Sequence, residues 1–127
     1  MSRGGVAAAL TADAVLVTAF ALAGRTSHAE DPLAGLWTTA WPFLAALAVG
    51  WALTRAWRAS TAPMRTGIPI AFVTVAIGMV LRALSGQGTA LPFILVASAV
   101  ILAALVGWRL VATAVLRRRS ARRATSP

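Results

Sequence analysis

Polar residues in this chain are confined to short stretches between four long apolar runs, at about 6–23, 33–54, 68–84 and 90–111. Each run is close to the ~20 residues that a helix needs to cross ~30 Å of hydrocarbon. Inside lipid every backbone N–H and C=O must be paired within its own segment, so runs of this length predict helices. The intervening stretches hold the breakers: Gly24 to Pro32, Ala59 to Gly67, and Ser85-Gly86-Gln87-Gly88. The pattern predicts an all-α membrane protein, four transmembrane helices arranged as two in–out–in hairpins. They form a single integral membrane domain over residues 1–127 that ends in a basic cytoplasmic tail, 117–127.

Composition strengthens that reading. With 59% apolar and 12% charged residues, a soluble bundle of 127 residues would lack the polar surface to cover four such runs. All twelve basic residues are arginine. Arg3, Arg55, Arg58, Arg65, Arg117, Arg118, Arg119, Arg122 and Arg123 fall on one side of the predicted membrane, and Arg25 and Arg82 on the other with Glu30 and Asp31. Nine against two places both termini and the 55–66 connection in the cytoplasm, and the protein in the cell membrane. Trp37 and Trp41 then lie near the outer boundary and Trp51, Trp57 and Trp108 near the inner one, where they read as interfacial anchors.

The first run also has features of a secretory signal, Arg3 followed by an apolar stretch and Ala21-Leu22-Ala23. Against that, it is longer than the ~7–15 residues of a signal's apolar region, and Asp13 interrupts it. In the second run Pro42 lies inside if the helix starts near Leu33 or Leu36, which frees the Thr38 carbonyl. The Thr38 and Thr39 hydroxyls are the expected replacements. Small residues recur at four-residue spacing, as in Ala46/Gly50, Thr74/Gly78 and Ala99/Ala103/Gly107, which favours close helix packing. A weak repeat relates Thr39-Ala40-Trp41-Pro42-Phe43 to Thr89-Ala90-Leu91-Pro92-Phe93, and Gly50-Trp51 to Gly107-Trp108. Both copies run in the same direction across the membrane, as parallel repeats do.

Few residues are available for chemistry. No cysteine, one histidine and three acids exclude thiol chemistry and leave no set for an ordinary metal cluster, so neither metal nor cofactor is expected. Asp13 lies ~12 Å from the inner end of its helix, where a bare carboxylate costs at least ~3 kcal/mol and calls for a partner. Arg109 enters from the inner end of the fourth helix and is the preferred partner; Arg82 is too near the outer end. Arg25, His28, Arg82 and Gln87 converge on the outer face if the hairpins pack side by side. Such a cluster has the chemistry to take a small anionic ligand or a lipid head-group. The arginine-rich tail could attract anionic lipid or RNA, but a positive-inside tail accounts for it fully, and no nucleic-acid partner is expected.

These positions resemble an uncharacterised prokaryotic family of small multi-pass membrane proteins, a domain of unknown function. The likeness rests on Asp13, Phe20, Gly24-Arg25, Ser27-His28, Trp41-Pro42-Phe43, Gly50-Trp51, Thr74, Gly78, Arg82, Gly86-Gln87-Gly88-Thr89, Phe93 and Gly107-Trp108-Arg109. It implies a retained first helix and names no substrate. The plan is also similar to that of small multidrug exporters, whose four spans carry a proton-coupling acid in the first helix; here the acid is Asp13 and its flanking residues differ. Two functions fit. One is a small-solute or proton-linked transporter or channel subunit, a homo-oligomer because four helices enclose little space. The other is a non-transporting scaffold or lipid-binding accessory protein, and no enzyme activity is expected.

Overall fold

The computed structural model describes residues 3–27 and 35–125, without the side chains of residues 25–27 and 125. Four helices make up the fold: α1 (Arg3–Ser27), α2 (Leu36–Thr54), α3 (Ile68–Leu84) and α4 (Leu91–Thr125). All four are long and apolar enough to cross a membrane, α3 together with the π-helical turn Pro63–Gly67 before it. No strand occurs among the described residues.

Helix ends follow local backbone chemistry. Gly35, at φ 78°, sets up the start of α2, and Arg55 ends that helix in the left-handed region at φ 51°. A 3₁₀ turn, Ala56–Arg58, and the π-helical turn then lead to α3, whose first turn contains Pro69. Gly86, at φ 80°, carries the chain out of α3. The largest departure from expectation is in α4, which does not end near 111: its 35 residues continue through the arginine-rich tail.

Each helix buries one stripe. On α1 it is Ala9, Asp13, Val17 and Ala21, and on α4 Ala97, Ile101, Leu105 and Arg109, both at four-residue spacing. Opposite faces carry exposed apolar residues such as Val15, Phe72, Leu95 and Val111, as a lipid-facing surface requires. The helices contact one another mainly in chain order, with α4 returning to α1, so they form a closed square. The closest packing is between α2 and α3, across the two hairpins. There Gly50 meets Val73 and Gly78 lies against the fully buried Phe43. Small residues let two backbones approach where lipid offers no hydrophobic drive for association.

Phe20 of α1 packs edge-on against Phe43 at 5.5 Å and, at a tilt of 49°, against Phe93 at 6.2 Å, which joins α1, α2 and α4 in one aromatic cluster. Phe43 and Phe93 occupy matching places in the sequence repeat.

A Cβ at position 78 would stand 2.6 Å from Phe43 Cδ1, whereas at position 107 it meets nothing within 4 Å. Gly78→Ala is therefore expected to destabilise the fold by about 1–3 kcal/mol. Gly107→Ala should be neutral or slightly stabilising. Thermal unfolding of the two variants in detergent checks the pair; equal melting points would contradict this packing.

Candidate functional site

α1 and α4 meet through the charged members of their buried stripes. Asp13 and Arg109 are both 0% exposed and pair with Oδ2 and Nη2 2.7 Å apart. A second bond, Nη1 to Oδ1 at 2.8 Å, makes the contact bidentate. The remaining lone pairs of the carboxylate are also used. Trp51 Nε1 donates to Oδ2 at 2.8 Å and Trp108 Nε1 to Oδ1 at 2.7 Å. Each oxygen thus accepts two hydrogen bonds, which fills the roughly four acceptor sites of a carboxylate.

Arg109 is held with similar completeness. Its Nε donates to Ser60 O at 2.9 Å, and its Nη1 also reaches Leu105 O, one turn back on its own helix. The guanidinium lies 4.6 Å from the centre of the Trp108 ring. Gly67 of the π-helical turn packs against the aliphatic stem, since a Cβ there would be only 3.2 Å from Arg109 Cδ. The connection between α2 and α3 is thereby drawn over the ion pair. Thr66 Oγ1 donates to Ala59 O at 2.7 Å and closes that connection on itself.

This site corrects the reading of two tryptophans. Trp51, 6% exposed, and the half-buried Trp108 are donors to Asp13 rather than interfacial anchors. Trp37 and Trp57, 71% and 47% exposed, do face outward as belt residues would. The sequence contained a usable signal: Gly50-Trp51 and Gly107-Trp108 are the repeated pair, and each copy supplies one donor to one oxygen.

The opposite end of the bundle holds Arg82 and Gln87 together. Arg82 turns onto its own loop, with Nε and Nη2 donating to Gly88 O at 3.0 and 2.9 Å and Nη1 to Gln87 Oε1 at 3.0 Å. Its guanidinium also sits 4.3 Å from the Phe93 ring centre. Gln87, oriented in this way, donates from Nε2 to Thr38 O at 2.9 Å. That carbonyl is the one that Pro42 leaves without its helical donor. Gln87, from a different hairpin, takes the part expected of the Thr38 and Thr39 hydroxyls. The Arg25 side chain and all of His28 lie outside the described residues, as do Glu30 and Asp31. Among the described residues no group of three or more His, Cys, Asp or Glu side chains could hold a metal ion.

Both sites fall within one matched segment, since the family model described as "Protein of unknown function (DUF3054)" covers residues 10–112. The chain belongs to that family. The DUF3054 match spans Asp13, Trp51, Arg82, Gln87, Trp108 and Arg109, and bears out the resemblance read from Asp13 to Arg109. It stops short of the arginine-rich end of α4. No curated protein and no solved structure matches the chain.

If Gln87 caps the carbonyl freed by Pro42, Gln87→Ala should cost about 1 kcal/mol in the native background. It should cost clearly less in a Pro42→Ala background, where residue 42 regains its N–H. A double-mutant cycle on detergent melting measures the coupling. Equal losses in the two backgrounds would rule the cap out.

Proposed function

We propose that this protein is a non-transporting scaffold of the cell membrane in which the Asp13–Arg109 pair locks α1, α2, α4 and the α2–α3 connection into one rigid unit. The observation that carries the reading is the saturation of the carboxylate: four donors on two oxygens, at 0% exposure. A proton-coupling acid must exchange its proton with water on one side of the membrane and then the other. Protonating Asp13 would require one donor to withdraw and would leave Arg109 an unpaired cation among apolar helices. The crevice between α1 and α4, lined by residues such as Leu16, Val17, Phe20 and Leu105, is apolar and too narrow for a water molecule. A lock needs neither water nor movement. No enzyme activity is proposed, and oligomerisation is not required by this reading.

Both termini and the 55–67 connection are assigned to the cytoplasm. The support is the nine-to-two distribution of arginine about the helix ends. On this assignment Asp13–Arg109 lies toward the cytoplasmic half of the membrane and Arg82–Gln87 at the outer surface.

Asp13→Asn and Arg109→Gln are each expected to destabilise the protein by about 3–5 kcal/mol, because each leaves a buried group unpaired. The double variant Asp13→Leu/Arg109→Met should recover much of that loss. Unfolding in detergent and yield in membranes are the measurements. In proteoliposomes, wild type should not dissipate an imposed proton gradient. Proton flux that disappears in Asp13→Asn would sink the scaffold reading.

Orientation has its own test, because the chain contains no cysteine. A membrane-impermeant maleimide applied to intact cells should label Gly88→Cys and leave Ser120→Cys unlabelled until the cells are opened. The reverse pattern would invert the assignment.

A further inference from the structure

At 1.5 Å per residue α4 is about 52 Å long, whereas hydrocarbon takes ~30 Å, so roughly 20 Å of helix extends beyond the basic end of the bundle. This extension lies outside the family-matched residues, and its arginines are placed with respect to the membrane. Val111 and Val115, 65% and 42% exposed, belong to the lipid-facing side of α4. Arg118 and Arg122 follow them seven residues later, on the same face at about 100° per residue.

Another side of the extension turns toward the connection between α2 and α3. Thr113, Leu116, Arg117 and Ser120 line an open crevice of about 310 Å³ with Thr61. Its inner wall is fixed by Thr113 Oγ1, which donates to Thr61 O at 3.3 Å. The lining combines one exposed guanidinium, hydroxyl groups and the half-exposed Leu116. That combination suits a phosphate attached to an acyl-bearing glycerol: Arg117 and Ser120 address the anion, and Leu116 the start of the chain.

We propose that this crevice binds the phosphate of an anionic phospholipid, with Arg118 and Arg122 engaging neighbouring headgroups in the same leaflet. RNA is the other anion an arginine cluster attracts. It offers no acyl chain to match Leu116, whereas a phospholipid does. The inference requires only that α4 spans a bilayer, and it stands or falls separately from the ion-pair lock.

The test is native mass spectrometry of the full chain in neutral detergent with added phosphatidylglycerol or phosphatidylcholine. Wild type should retain phosphatidylglycerol preferentially. Arg117→Gln/Arg118→Gln/Arg122→Gln should weaken that retention by about fivefold per arginine and leave phosphatidylcholine unaffected. Ser120→Leu keeps every charge but fills the crevice, and should also weaken it. A control with the same charge loss, Arg3→Gln/Arg55→Gln/Arg58→Gln, should change it far less. Equal losses in control and test variants, or full retention in Ser120→Leu, would overturn the site. Displacement of the lipid by millimolar inorganic phosphate would overturn the lipid assignment, as would preferential binding of a single-stranded RNA oligonucleotide.

Discussion

A carboxylate taken into hydrocarbon loses its water, and every lost hydrogen bond has to be replaced by the protein. For Asp13 the replacements come from three residues on two other helices: Trp51 on α2, and Trp108 and Arg109 on α4. Arg109 then reaches on to Ser60 in the connection before α3. One buried charge thus fixes the relative positions of α1, α2 and α4 and of a loop. Apolar packing in lipid is nondirectional and gives no comparable preference for one register over another.

The requirement runs in both directions. Arg109 is acceptable on a buried stripe only because Asp13 faces it, and Asp13 only because of Arg109 and the two tryptophans. Such a pair contributes little net stability, since desolvation offsets most of its attraction. Its consequence is specificity, because any arrangement of the helices that separates the partners leaves charges bare in an apolar interior. The same logic operates more weakly at the other end, where Pro42 removes a donor from α2 and Gln87 supplies one from the α3–α4 loop. Arg82 serves there by aligning Gln87.

The two ends are joined by close packing. Gly78 against Phe43 brings α3 onto α2, and Phe20 between Phe43 and Phe93 brings α1 to both α2 and α4. The repeated elements of the sequence therefore converge on α1 twice, as phenylalanines around Phe20 and as tryptophans around Asp13. With the carboxylate saturated, the outward features among the described residues are the lipid-facing surface, the exposed α3–α4 loop and the basic extension of α4.

Four apolar runs of membrane-crossing length are enough to establish the helices, because lipid permits no other way to satisfy the backbone. Depth within those runs also singled out Asp13 and Arg109, the only acid and the only well-placed base within reach of each other. What periodicity and composition left undecided was the use of individual side chains. A tryptophan near a helix end reads as an anchor until the helix is rotated, and only packing turned Trp51 and Trp108 toward Asp13. A freed carbonyl at Thr38 was visible from Pro42, but its donor lies 49 residues away in sequence and is set by how the hairpins meet. Hydropathy placed the end of α4 near 111, but the helix continues to Thr125, since arginine and alanine are good helix formers that suit an exposed helix as well as a coil. The chain's hydropathy determines that this protein is a set of membrane helices; tertiary structure determines their mutual rotation, because directional hydrogen bonds to a few buried polar groups act only after the helices are side by side.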